Sequence, residues 1–294
     1  MSLPRRSGFV AGEDLPRGLA YGANEPRLTP HVFRIRFAVC QISPYPLRIM
    51  SELIRADGRA AHQLRPLRFQ NHIAPHAAGS TLIEWGHTRV ICGVTIEESV
   101  PRWMKEQKVE GGWLTAEYSM LPYSTLQRKP RDISKGRLDG RASEIQRLIG
   151  RAIRAAVDLR KVGARTICVD CDVLQADGGT RTAAITGTFV ALSLAVKKLQ
   201  SANLISENPL LAPIAAVSVG MVAGAALLDL CYTEDVAAAV DMNLVMNSRG
   251  EFIELQGTGE EATFTDPQLA ELLALGKAGI RELLAAQQTA ITQG

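Results

Sequence analysis

The segment Asp177-Gly178-Gly179-Thr180-Arg181-Thr182 concentrates the residue types needed to hold an anion. Adjacent glycines let the backbone turn its amides towards a ligand, two threonines add hydroxyl donors, and the planar fork of Arg181 matches a phosphate face. If a helix opens here, the unpaired N–H groups of its first turn, carrying about half a positive elementary charge, favour an anion further. The segment lacks the Gly-Lys-Ser/Thr ending of a P-loop and the spacing of a dinucleotide fingerprint. On these residues alone, a phosphate site and an ordinary capped strand-to-helix turn are both open. A second candidate is Glu234-Asp235 with Asp241, separated by the small apolar run Val236-Ala237-Ala238-Ala239-Val240. Such carboxylates can hold a divalent cation or protonate a leaving oxygen, and loop solvation or helix capping is the simpler alternative.

Two metal-like spacings are weaker. Cys168-x-x-Cys171 has no second pair, and residues three apart on a strand point to opposite faces, so both read as small strand residues. His72 and His76 flank Pro75 without an acidic or thiol partner nearby in sequence, which favours surface or packing roles. Charge is more informative. The net value is only +3, yet Tyr123 to Arg165 holds twelve Lys or Arg against four Asp or Glu. Arg147, Arg151 and Arg154 are explained by a solvated helix face. Arg128, Lys129, Arg131, Lys135, Arg137 and Arg141 instead crowd a Gly-containing loop, the usual footprint of a surface for a polyanion.

The elements needed to position these groups are legible in periodicity. Strand-like runs occupy Ser80 to Trp85, Arg89 to Ile96 and Leu114 to Leu121. Ile145, Leu148, Ile149, Ala152, Ile153, Ala156 and Val157 then form a helical stripe over Ser143 to Leu159. A buried strand from Thr166 to Leu174 feeds the glycine-rich segment into a second helix, Thr182 to Leu199, with Ile185, Phe189, Leu192, Val196 and Leu199 on its apolar face. Two hairpins follow, Ile214 to Leu230 around Ala223-Gly224, and Met242 to Gln256 around Asn247-Ser248-Arg249-Gly250. Asp266-Pro267 has the cap and first-turn chemistry for a last helix to about Ala290. This order predicts a mixed α/β (α+β) sandwich.

With 294 residues, 46% hydrophobic and 21% charged, the chain has material for a substantial core, which excludes disordered and collagen-like classes. Residues 1–50 hold six of the fourteen prolines without a sustained period, and are read as an irregular extension outside the fold. The uncharged stretch Asn208 to Leu228 reads as a hairpin rather than a membrane span, because prolines and glycines interrupt it. Five scattered cysteines with no apolar leader before them predict a reducing, cytoplasmic setting and no membrane.

From about Arg55 to Gln287 the chain resembles the bacterial ribonuclease PH family of phosphate-dependent 3′ to 5′ exoribonucleases. The matching runs are Asp57-Gly58-Arg59, Gly112 to Tyr118, Glu144 to Arg151, Asp170 to Thr182 and Asp241-Met242-Asn243. The resemblance implies a single RNase PH-type domain over residues 51–294, with the ribosomal protein S5 domain 2-like sandwich. It also implies a hexamer built as a trimer of dimers. It further implies that Arg141, Gly179, Thr180, Arg181 and Thr182 bind the attacking orthophosphate, the co-substrate. Asp235 and Asp241 match the family's catalytic aspartates, which are also its candidate ligands for Mg²⁺. Arg128 and Arg131 match arginines that contact RNA. The implied activity trims the 3′ ends of tRNA precursors and other RNA, releasing nucleoside diphosphates.

The chain departs from the family where Glu-Asp-Ser-Ala-Ala-Glu-Thr-Asp is usual, reading Glu234-Asp235-Val236-Ala237-Ala238-Ala239-Val240-Asp241. Tyr123 replaces a usual arginine and His87 a usual aspartate. The rival reading is a non-catalytic RNA-binding ring subunit of the exosome-core type, whose mark would be a broken phosphate cradle. A plain hydrolytic nuclease is the third and would need no cradle.

Overall fold

Alternation of apolar and polar side chains drives the first part of the folded chain into strands. The computed structural model describes residues 55–137, 139–259 and 262–294, so the extension expected over residues 1–50 lies outside the described residues. In chain order the elements are β1 (Leu67–Asn71), β2 (Gly79–Trp85), β3 (Thr88–Glu97), α1 (Arg102–Glu106), β4 (Trp113–Met120), α2 (Asp132–Lys135), α3 (Gly140–Arg154), α4 (Leu159–Val162) and β5 (Thr166–Gln175). They continue as α5 (Thr180–Ser201), β6 (Ile214–Val222), β7 (Ala225–Leu228), α6 (Tyr232–Ala237), β8 (Ala238–Asn247), β9 (Phe252–Gly259) and α7 (Asp266–Gln293). The strands form one sheet ordered β1-β2-β3-β5-β4 and another ordered β7-β6-β8-β9. Among the described strands only β4 and β5 pair in parallel, and α3 lies on the crossover between them.

Helices α5 and α7 fill the space between the sheets, touching β1 to β3 on one side and β6 to β8 on the other. The sequence predicts one apolar face for α5, whereas nearly its whole circumference is buried. Its polar residues are therefore satisfied internally: the Thr186 hydroxyl exchanges hydrogen bonds with Ala216, and Ser193 donates to the Phe189 carbonyl at 2.8 Å. A Cβ on Gly187 would stand 2.8 Å from Cys92 Sγ, so the missing side chain lets the helix lie close on the first sheet. Among the described helices, α5 is the one long and apolar enough to cross a membrane, and 89% of its most apolar window is buried in the fold. The Asn208 to Leu228 stretch turns at Ala223 and Gly224, both at positive φ, as the hairpin reading requires.

Four differences from the sequence reading matter. Helix α3 starts at Gly140 rather than Ser143 and stops at Arg154, because Val157 leaves the helix to bridge Leu210 and Asp158 caps α4. The earlier start brings Arg141 into its first turn. Strand β8 begins at Ala238, so Asp241 stands on a strand rather than in a loop. Thr265, not Asp266, caps α7, through a box with Gln268. The fourth is β1, which the sequence reading omitted although Leu67, Phe69 and Asn71 alternate inward with Arg68 and Gln70 outward.

Strand β5 has one buried face, Ile167, Val169, Cys171 and Val173, and one outward face carrying Cys168, Asp170 and Asp172. Cys168 and Cys171 thus fall on opposite faces, as expected. Asp170 pairs across β4 with Glu117, and burial together with Glu117 and Asp172 pushes its carboxyl above the ordinary range. A carboxyl raised in the folded state opposes folding when ionised, and the penalty fades as pH falls through the carboxylate range near ~4. Asp170→Asn is therefore expected to raise the melting temperature at pH 7, with the gap closing towards pH 3. Thermal melts across that range check it; an unchanged or lower melting temperature at pH 7 contradicts it.

Candidate active site

Strand β5 passes into α5 through two consecutive left-handed glycines, Gly178 at φ +73° and Gly179 at φ +64°. A Cβ on Gly178 would stand 2.5 Å from the Leu230 carbonyl oxygen, so the turn packs directly on the backbone ahead of α6. Gly179 caps α5, and the first intrahelical bond runs from Ala183 N to Gly179 O at 2.9 Å. The amides of Thr180, Arg181 and Thr182 thus have no carbonyl one turn back and head the helix dipole. The Tyr118 hydroxyl, on β4, donates to Thr180 Oγ1 at 2.8 Å, leaving the Thr180 proton available to an acceptor in front of it. The Thr182 hydroxyl instead donates to Gly179 O at 2.9 Å, and the residue is buried. Of the two hydroxyls the sequence offered, the structure presents only that of Thr180.

Arg181 reaches from α5 towards β9, where its guanidinium donates to Gln256 Oε1 at 3.0 Å and to Glu144 Oε1, on α3, at 3.3 Å. Gln256 lies opposite Asn243 in the β8–β9 ladder, and Thr258 opposite Asp241. Asp241 and Asn243, two apart on β8, share a face, while Met242 points into the core. Arg141, Gly179, Thr180, Arg181, Ser218, Asp235, Asp241 and Asn243 together line a cavity of about 150 Å³. That is room for about five waters at bulk density, and so for an orthophosphate with its partners. Two larger cavities open from it: one of about 620 Å³ towards α6 and the loop after β4, and one of about 530 Å³ towards β9.

Of the site residues expected from sequence, Arg141, Gly179, Thr180, Arg181, Asp235 and Asp241 therefore converge; buried Thr182 is not among the residues lining the cavity, and neither are Arg128 and Arg131. Those two are exposed on the loop between β4 and α3, beside Leu126 and Gln127, which line the larger cavity. Arg131 is near enough to Asp172 to oppose the rise that burial imposes on that carboxyl. Lys129 is tied to Asp139 at 3.0 Å and braces the loop instead of offering its charge. Among the described residues, no cluster of three or more His, Cys, Asp and Glu side chains has metal-site geometry. His72 and His76 are both exposed.

Behind the cavity is an ionic framework that the sequence reading missed. Asp229, 1% exposed and at φ +57°, accepts from Arg65 N at 2.7 Å, Arg65 Nε at 3.0 Å, Arg65 Nη2 at 2.6 Å and Trp85 Nε1 at 2.9 Å. Arg65 also donates to the Asp177 carbonyl beneath the glycine turn. Arg55, whose side chain is fully buried, donates to both oxygens of Glu234 and to the carbonyls of Leu228 and Asp229. Burial works against the charge of Glu234, but Arg55 and the Cys231 amide outweigh it and hold the carboxyl below its ordinary value. Breaking such a network from one side costs about 3–5 kcal/mol, so the cradle turn and the Asp235 helix are held in one arrangement. Asp57-Gly58-Arg59 was the visible trace of this framework, but buried pairing between residues more than 160 apart leaves no local pattern.

Comparison with known proteins places this arrangement. The 3′ exoribonuclease family model matches the chain as domain 1 over residues 63–198 and as domain 2 over residues 212–279. The chain is 51% identical over 244 residues to Ribonuclease PH of Corynebacterium kroppenstedtii, spanning 83% of this chain and 95% of that protein. To Ribonuclease PH of Corynebacterium efficiens it is 54% identical over 237 residues, spanning 81% and 96%. In structure it is similar to rice Rrp46, with TM-score 0.65 at 20% identity, covering 81% of this chain and all of that one. It is also similar to a chain of the Archaeoglobus fulgidus exosome with RNA bound to the active site, with TM-score 0.67 at 22% identity, covering 78% and 91%. The fold is the S5 domain 2-like sandwich expected from the sequence, with one sheet in each matched segment.

Proposed function

The chain belongs to the 3′ exoribonuclease family, on the ribonuclease PH branch, and from that premise we propose that it shortens RNA by phosphorolysis at the cavity between α5, α6 and β8. The observation that carries this reading is the meeting of Arg141, Thr180 and Arg181 with Asp235 and Asp241 in one phosphate-sized space. A hydrolase needs only water there, whereas this site provides cationic and amide donors for an anionic nucleophile.

In the reaction, an oxygen of orthophosphate attacks the phosphorus of the last phosphodiester. The bond from that phosphorus to the 3′ oxygen of the preceding nucleotide breaks, releasing a nucleoside diphosphate and an RNA one residue shorter. Two anions must approach, so Arg141, Arg181 and the α5 amides offset their repulsion and fix the nucleophile in line. Asp241 gives a proton to the departing 3′ oxygen, and Asp235 orients it from α6. The oxygen donors of Asp235 and Asp241 suit a hard cation such as Mg²⁺, which, when bound, would supply further charge neutralisation. Arg128 and Arg131, on the exposed loop, meet phosphates further up the RNA. The substrate class is tRNA precursors, the setting is the cytoplasm, and the assembly is a hexameric ring.

The test is incubation with a 3′-extended tRNA and Mg²⁺, with and without millimolar phosphate. Nucleoside diphosphates appearing only with phosphate are the expected result. Monophosphates released without phosphate would make the protein a hydrolase, and RNA binding without release would make it a non-catalytic ring subunit.

A further inference from the structure

Tyr118 is an inward residue of β4, 3% exposed, opposite Cys171 in the β4–β5 ladder and part of the same apolar core as Leu114. Phenylalanine would fill that place equally well, so the hydroxyl needs a separate reason: a buried O–H without a partner is costly. Among the described residues its one hydrogen-bond partner is Thr180 Oγ1, at 2.8 Å, in the first turn of α5. Burial pushes the Tyr118 phenol above its ordinary range, so the group keeps its proton at neutral pH and remains a donor. Tyr118 is not among the residues lining the phosphate-sized cavity, whereas Thr180 is.

A threonine hydroxyl has one proton to give, and in a helix it can turn that proton back onto a carbonyl of the preceding turn. Thr182 does so, donating to the carbonyl of Gly179, three residues earlier, at 2.9 Å. The Asp177 carbonyl offers Thr180 the equivalent acceptor. Tyr118 works against that turn: it donates into a lone pair of Thr180 Oγ1 from the core side, which leaves the cavity side for the Thr180 proton and polarises the O–H into a stronger donor. We propose that Tyr118 is a positioning residue for phosphorolysis, setting from β4 the direction of the Thr180 hydroxyl so that it donates to the attacking orthophosphate. The inference rests on the phosphorolytic reading. It adds to the cradle a residue that never touches the anion and acts on it through one hydrogen bond.

Tyr118→Phe removes one oxygen and keeps the packing. It is expected to raise the KM for phosphate about three- to tenfold, the scale of one hydrogen bond, with kcat within about twofold of wild type. A merely structural role would give the same change whatever residue stands at position 180, so the substitution is repeated in two backgrounds. With Thr180→Ser, which keeps the hydroxyl, the rise is expected to return; with Thr180→Val, which removes it, Tyr118→Phe is expected to change nothing further. If the valine variant does not fold, Thr180→Ala, which leaves space beside the Tyr118 hydroxyl, takes its place. An unchanged KM in Tyr118→Phe, a fall in kcat at unchanged KM, or an equal rise with and without a hydroxyl at position 180 overturns the proposal and leaves phosphorolysis standing. A wild-type protein that releases no nucleoside diphosphate in the presence of phosphate overturns the phosphorolytic reading instead. Equilibrium binding of orthophosphate to the same variants then decides the role of Tyr118, with the same pattern expected in Kd and its absence counting against the proposal.

Discussion

Replacing Arg181 with alanine is expected to slow phosphorolysis by about two to three orders of magnitude, about 3–4 kcal/mol of transition-state stabilisation, by analogy with removal of one oxyanion donor. The geometry makes the loss specific. The Arg181 guanidinium is held between Gln256 Oε1 at 3.0 Å and Glu144 Oε1 at 3.3 Å, its side chain only 17% exposed, at the edge of the phosphate-sized cavity. Those anchors leave part of its donor fork for an incoming anion and remove the entropy of finding it. The fold does not depend on the pair: Glu144 is half exposed and water replaces its partner, so the melting temperature moves little. Arg181→Lys restores charge without the planar fork and is expected to fall between the two. Steady-state rates of nucleoside diphosphate release, with phosphate varied at saturating RNA, check this. Wild-type turnover by the alanine variant removes Arg181 from the mechanism.

The glycine turn illustrates why the centre of this site was legible in sequence while its supports were not. Asp177 to Thr182 is a local motif: the residues that turn the chain, cap the helix and face the anion are contiguous, so composition and spacing reveal them together. The strands and helices around it follow hydrophobic period, which also depends on neighbours in sequence. Period failed where burial is two-sided, as in α5, whose polar Thr186, Thr188 and Ser193 are inside. It failed again where a strand was judged by its apolar run alone, since the acidic Asp241 hid that β8 begins at Ala238.

Residues that act by meeting across the fold gave no such signal. Tyr118 and Thr180 are 62 positions apart and joined by one hydrogen bond. Arg55 and Glu234, 179 apart, share a buried ion pair that braces the Asp235 helix. Asn243 and Ser218 enter the cavity only because they face each other in the β6–β8 register. A strand assignment correct to the residue would have predicted Asn243, because i and i+2 share a face and Asp241 was already singled out.

Asp241→Asn is expected to have the other large effect, a fall of about two to four orders of magnitude in turnover, the usual contribution of a positioned general acid. Asparagine keeps the shape on β8 and the ladder contacts opposite Thr258 and Gly220, so the loss reports on charge and proton rather than packing. The two roles open to Asp241 separate by pH and metal. A general acid must be protonated to act, so wild-type activity declines on the alkaline side of its pKa, and the variant loses that limb while remaining slow throughout. A side chain that only holds Mg²⁺ leaves the limb in place, and the variant recovers rate as Mg²⁺ or Mn²⁺ is raised. The position of Asp241 in the same cavity as Arg141, Thr180 and Arg181, on the strand face away from the core, favours contact with the reacting phosphoryl group. The expected result is therefore a flattened alkaline limb with incomplete metal rescue, and a KM for phosphate that changes far less than kcat, because the donors that bind the nucleophile lie on α3 and α5. A variant that turns over at the wild-type rate with saturating phosphate and RNA would sink the assignment and shift the proton transfer to Asp235.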